Sequence, residues 1–198
     1  EENPRLGTTS GKPYFVSAGD GGLVAEVCGD EMSVGASKFY RVQCFREFGG
    51  FVREVMWDGI DCHRCRLLGW IADSVDEEEL RFLHLRPMGS SQKGIWAGRV
   101  RTGYGQYLMG TAPLFLLASA TFRLFKHPVL IGSIAMIWGY ASSAVRGVGR
   151  YDDPEFRRFL RRYQSMSLIH GKRGAIRKLN TAQESVWQAR LAGQHSGS

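Results

Sequence analysis

Trp57-Asp58-Gly59-Ile60-Asp61-Cys62-His63-Arg64 is the most chemically informative stretch of the chain. Its two carboxylates, Asp58 and Asp61, are three residues apart. At the start of a helix that spacing sets both on one face, and the helix N-terminus stabilises their ionised forms. A carboxylate held there, beside the bulky ring of Trp57, can accept a proton from a sugar hydroxyl. Taken alone, the same pair also reads as ordinary N-terminal helix charges. Cys62-His63-Arg64-Cys65 is a C-x-x-C, but a zinc site needs four ligands, usually from two such pairs. Cys28 and Cys44 stand sixteen apart and make no second pair. Reduced thiols are therefore expected.

A second candidate is the loop Gly89-Ser90-Ser91-Gln92-Lys93-Gly94. It is not a Walker loop, because Gly94 is followed by Ile95 rather than by Lys and a hydroxyl residue. A Gly/Ser loop that opens a helix can still hold phosphate through its backbone N–H groups. Arg86, Lys93, Arg99 and Arg101 cluster around it in sequence. The alternative is a solvated loop.

These residues need elements to position them. Tyr14-Phe15-Val16 and Leu23-Val24-Ala25 read as short strands across a Gly-rich turn. Ser37 can cap a short helix that begins at Lys38 and stops at Gly49-Gly50. A helix over 59–68, with Ile60, Leu67 and Leu68 facing a core and Gly69 as its stop, carries the acidic pair. Residues 80–85 read as a strand and 94–102 as a helix.

The chain has 198 residues, of which 43% are apolar and 23% charged, which excludes a disordered chain. Four cysteines are too few for a disulfide scaffold. Residues 1–20 hold no apolar core of the kind that a signal peptide needs. The net charge of +7 is uneven: residues 1–106 carry −2 and residues 107–198 carry +9. Such a basic half suits an anionic membrane surface or nucleic acid.

The character changes at residue 107. Tyr107 to Phe122 and Val129 to Val145 are uncharged runs of 16 and 17 residues, short of the roughly 20 needed for a simple crossing. Gly110, Pro113, Gly132 and Gly139 fit membrane or close-packed helices. The pair is a transmembrane hairpin, a hairpin dipping into one leaflet, or a buried helix pair. The basic flanks Arg146, Arg150, Arg157, Arg158, Arg161 and Arg162 favour membrane contact. Asp153-Pro154 then starts a helix. Phe156, Phe159, Leu160 and Tyr163 form one apolar stripe on it. That helix either lies in the headgroup plane with its arginines on phosphates or packs on the domain with a solvated basic face. Residues 191–198 read as a frayed tail.

Read together, Gly35-Ala36-Ser37-Lys38-Phe39-Tyr40-Arg41, Phe48-Gly49-Gly50-Phe51, Asp58 with Arg64, and Gly69-Trp70 resemble the acceptor-side half of family 2 glycosyltransferases. Trp57 stands where that family often has the first acid of an acidic pair, which leaves Asp58 and Asp61 as alternative working acids. The specific resemblance covers residues 33–70, with a looser one to about residue 163. It implies an α/β fold: an incomplete GT-A domain, a Rossmann-like mixed sheet with flanking helices, followed by a hydrophobic helical hairpin and an amphipathic basic helix. The implied divisions are 1–106, 107–145 and 146–198. It implies a nucleotide-diphosphate sugar donor, Mg²⁺ or Mn²⁺, and inversion at the anomeric carbon in one displacement. Asp58 or Asp61 would be the catalytic base, with Gly49, Gly50, Trp57 and Arg64 on the acceptor. His84, Arg86, Lys93, Arg99 and Arg101 would meet the leaving diphosphate.

The family's metal-binding Asp-x-Asp precedes its acceptor motif and occurs nowhere in this chain, and the first residue is Glu1. A C-terminal portion of a longer enzyme, inactive by itself, is expected. The implied setting is envelope or exopolysaccharide synthesis at the cytoplasmic face of a bacterial inner membrane, with a glycan or lipid-linked acceptor. The alternatives are a non-enzymatic basic membrane-associated interaction module and nucleic-acid binding. The latter lacks a recognised motif, because the aromatics at 156–163 form an apolar stripe rather than a stacking platform, and no nucleic-acid partner is expected.

Overall fold

The computed structural model describes residues 3–17, 21–26, 28–85, 94–124 and 130–195. They form a mixed α/β structure in two compact units. The first unit comprises residues 1–52, 58–85 and 170–198; the second comprises 53–57 and 86–169.

The first unit holds two three-stranded sheets. In one, β1 (Leu6–Ser10) lies between β4 (Lys38–Tyr40), antiparallel to it, and β5 (Ile71–Ser74), parallel to it. In the other, β2 (Pro13–Val16) lies between antiparallel β3 (Leu23–Ala25) and parallel β6 (Phe82–Leu83). The expected strands at 14–16 and 23–25 are present. The one expected over 80–85 is reduced to β6, and Leu80, the first residue of the expected strand, ends a 3-10 turn over Glu78–Leu80.

The helix expected to begin at Lys38 does not. Lys38-Phe39-Tyr40 pairs with Ser10, Thr9 and Thr8 as β4, and α1 (Val42–Glu47) starts after Arg41 with no side-chain cap. The aromatic pair favours the pleated surface, and strand geometry turns Lys38 and Tyr40 to one side. Helix α2 (Trp57–Leu67) matches the expected 59–68 closely. It stops at Gly69, whose φ of +88° suits glycine. A Cβ there would also lie 2.7 Å from that of Trp187.

Trp187 belongs to α7 (Glu184–His195), which packs into a core with Cys44, Phe48, Cys65 and Trp70. Leu191 joins that core, so the segment read as frayed is helical to His195. Arg190 ties it down, donating to the Leu68 carbonyl at 2.7 Å and pairing with Glu47 at 2.6 Å.

In the second unit α3 (Ile95–Met109) begins where the sequence indicates but continues past residue 107, ending at Gly110 in the left-handed region. Helices α4 (Pro113–Arg123) and α5 (Ile131–Val145) occupy the two uncharged runs. Helix α5 packs chiefly on α3, with fewer contacts to α4. Glycines explain that choice. A Cβ at Gly103 would lie 2.0 Å from the Met136 carbonyl oxygen, and one at Gly139 would lie 2.1 Å from that of Val100. The two backbones touch, as the close-packed reading of Gly139 requires. Gly139→Leu is expected to destabilise this unit by about 1–3 kcal/mol through overpacking. Urea unfolding followed by circular dichroism checks it, and an unchanged midpoint would refute the close approach.

No helix among the described residues is long and apolar enough to cross a membrane. At 15 residues α5 spans about 22 Å against a hydrocarbon core of about 30 Å.

Helix α6 (Pro154–Ala182) starts as expected, with the Asp153 carboxylate accepting from the Phe156 N–H at 2.9 Å. Its stripe Phe156, Phe159, Leu160 and Tyr163 is buried by protein. The packed alternative therefore holds for these four side chains, and they are not available to a headgroup layer. The helix breaks at Gly171 (φ 68°, ψ 166°).

Candidate functional site

Helix α2 presents its two carboxylates in different states. Asp61 is 2% exposed. It pairs with the Lys38 ammonium, and its other oxygen accepts from the Tyr40 hydroxyl. Burial pushes the Asp61 carboxyl above its ordinary value, while Lys38 and Tyr40 act in the opposite direction. Burial also raises the Tyr40 phenol, reinforced by its bond to Asp61. Lys38 makes further contacts, to the Asp58 carbonyl oxygen at 2.9 Å and Cys62 Sγ at 3.3 Å. Burial by itself would weaken its charged form, but Cys62 and Asp61 outweigh that and raise it.

Asp58, one turn earlier, is partly exposed. Its Oδ1 accepts from the Gly59 N–H at 3.0 Å. Among the described residues it forms no ion pair. Trp57 opens the same helix.

Gly49 and Gly50 both have positive φ, +82° and +75°. The turn follows α1, with the Gly49 and Gly50 N–H groups donating to Arg46 and Phe45 carbonyls at 3.2 and 3.1 Å. Arg64 comes to this turn: its Nη2 would lie 3.5 Å from a Cβ on Gly49, and its guanidinium sits 5.9 Å from the Phe48 ring centre. The structure thus brings Gly49 and Arg64 together, and Asp58 and Asp61 together.

The residues expected on a diphosphate fall in both units. His84 is in the first unit, with Nδ1 3.0 Å from Glu26. Arg99 and Arg101 are on α3 in the second. Arg86, Lys93 and the loop from Gly89 to Lys93 lie outside the described residues.

The C-x-x-C does not converge. Cys62 Sγ sits 3.3 Å from Ser33 Oγ, while Cys65 Sγ sits 3.3 Å from that of Cys44, all as free thiols. Burial raises Cys62; the bond to Cys44, then burial, raise Cys65, so both favour the protonated form. Among the described residues no group of three His, Cys, Asp or Glu could hold a metal ion. None is assigned as a ligand.

His63, in the same turn, is 3% exposed, and burial together with Arg66 and Lys38 depresses it from 6.5 to about 3. The unfolded chain binds this proton below about pH 6.5 and the folded chain does not. Its contribution to stability is therefore complete above pH 6.5 and falls by about 1.4 kcal/mol per pH unit down to about pH 3. Denaturant titrations between pH 7 and pH 4 check this, and His63→Gln is expected to flatten the slope.

Lys38 and Tyr40 were within reach of sequence reasoning. They sit two apart in an aromatic run, the spacing that puts two side chains on one face of a strand. Arg66 gave no such signal. It is fully buried and donates to the backbone carbonyls of Glu31 and Ala72, clamping the start of β5.

No family model, curated protein or solved structure matches this chain.

Proposed function

We propose that the chain supplies the acceptor-side part of an inverting glycosyltransferase of the GT-A type, similar to family 2, and that Asp58 is its general base. One observation carries the assignment. Of two carboxylates on the first turns of α2, Asp61 is closed off by Lys38 and Tyr40, whereas Asp58 belongs to a partly exposed residue and forms no ion pair among the described residues. Lys38 holds the backbone of that residue through its carbonyl.

In the proposed reaction Asp58 takes the proton of an acceptor hydroxyl as its oxygen attacks the anomeric carbon of a nucleotide-diphosphate sugar. The bond from that carbon to the diphosphate breaks, and the nucleoside diphosphate leaves. One displacement inverts the centre. The Gly49-Gly50 turn presents backbone without a Cβ to an acceptor, and Arg64 beside it supplies fixed donors for sugar hydroxyls. Asp61 is a positioning residue in this scheme.

The acceptor is a glycan or a lipid-linked sugar used at a membrane surface. What supports this is the apolar face that α5 leaves exposed: Ile131, Ile134, Trp138 and Val145 are all more than half exposed. They recur at helical spacing on one stripe. With no crossing helix among the described residues, a seat within one leaflet fits that stripe.

The test uses the full-length protein with nucleotide-diphosphate sugars and glycan acceptors, following release of nucleoside diphosphate. Acceptor-dependent release that Asp58→Asn abolishes supports the reading. Undiminished release in that variant removes Asp58 from the mechanism.

A further inference from the structure

Four arginines in the second unit converge on one open cleft of about 530 Å³. Arg150, Arg157, Arg158 and Arg161 line it together with Pro154. Three come from the first turns of α6, with Arg157 and Arg161 four apart on one side of the helix. The fourth comes from the segment that leads into it. Like charges brought together repel one another, and the usual relief is an interleaved carboxylate. Asp152, Asp153 and Glu155 stand between Arg150 and Arg157 in sequence, but none of them lines the cleft. Among the described residues, none of the four arginines forms an ion pair, and no Asp or Glu lines the cleft.

Two of the guanidiniums are steadied by neutral groups. Arg150 stacks 4.9 Å above the Tyr107 ring, and Arg157 donates to the Tyr151 carbonyl. A Cβ on Gly110 would fall 2.8 Å from Arg157 Cδ, so the stem of that arginine is packed too. Arg158 and Arg161 are exposed. The nearby Asp153 is already engaged by the Phe156 N–H. The helix terminus is thus largely capped by its own side chain, and the positive character of the cleft comes from the arginines.

We propose that this cleft is a binding site for a phosphate or diphosphate group. Planar guanidiniums match phosphate oxygens two at a time, and the four positive charges exceed what one monoanion would neutralise. The diphosphate can belong to a free small molecule or to the headgroup of an anionic lipid. The site stands on the second unit alone and does not depend on the assignment of Asp58.

The experiment is equilibrium binding of inorganic pyrophosphate to the full chain by isothermal titration calorimetry. Sedimentation with vesicles of phosphatidylglycerol, against phosphatidylcholine, is run in parallel. The variants are the double substitution Arg158→Gln/Arg161→Gln and, as a control, Arg162→Gln, which removes an exposed arginine of the same helix that does not line the cleft. The double variant is expected to weaken pyrophosphate binding by at least about tenfold, since two charge-assisted contacts are lost. The control is expected to stay within about twofold. Circular dichroism of both variants shows whether the helix is retained.

Loss of pyrophosphate and phosphatidylglycerol binding together in the double variant assigns the site to a lipid headgroup. Loss of pyrophosphate alone assigns it to a free phosphate compound. Absence of pyrophosphate binding in the wild type, or an equal loss in Arg162→Gln, overturns the proposal and leaves a diffuse basic surface.

Discussion

Asp58→Asn in the full-length protein is expected to lower the rate of sugar transfer by about 10²–10⁴-fold, the usual contribution of a positioned general base. The amide has the shape of the carboxylate and keeps an oxygen able to accept from the Gly59 N–H, so the start of α2 is preserved. What it loses is the capacity to take up the proton of the attacking hydroxyl. The loss should therefore appear in kcat, with nucleotide-sugar affinity within about twofold of wild type. Steady-state kinetics with a binding measurement on the same sample separate these effects. Asp61→Asn provides the contrast. It disturbs a buried contact with Lys38 and Tyr40, so its primary signature is lowered stability. An equal loss of kcat in both variants with unchanged stability would mean that the division of labour between the two acids is misassigned.

Patterns that depend on near neighbours in sequence were readable, and those that depend on distant partners were not. The end of α2 followed from Gly69, a local signal. The same holds for Asp153 as a cap. Ser37 misled because its hydroxyl is a good cap in principle, while Lys38 to Tyr40 had a stronger alternative in β1, thirty residues earlier. The uncharged runs looked alike by composition. Which helix α5 would choose depended on Gly103 and Val100 in α3, whose closeness no period in α5 reveals. At the site, the acidic pair was legible as a pair. Its separation into one acid in a buried ion pair and one without an ion pair among the described residues was not, because the pairing cation comes from a strand rather than from the helix itself. The arginines beside the stripe on α6 were visible, but their convergence with Arg150 on one cleft needed the fold.

Lys38→Met is expected to destabilise the protein by about 3–5 kcal/mol, the cost of breaking a buried ion pair from one side. The side chains of Lys38 and Asp61 are 2% and 3% exposed, so water cannot replace the ammonium. Three groups lose a partner at once: the Asp61 carboxylate, the Asp58 carbonyl and the Cys62 sulfur. With its cation gone, burial dominates at Asp61 and drives the carboxyl further toward its protonated form. Chemical denaturation measures the loss, and a cost below about 1 kcal/mol would place the pair in the weak class typical of exposed contacts. The double substitution Lys38→Met/Asp61→Leu is the sharper test. Removing both charges of a buried pair is often close to neutral, and Tyr40 is only partly buried. Most of the lost stability should return. The bond from Lys38 to the Asp58 carbonyl does not return with it, so the double variant should be folded yet slow in transfer. Stability and turnover then separate in one molecule, as expected if Asp61 and Lys38 hold the helix start in place and Asp58 performs the chemistry.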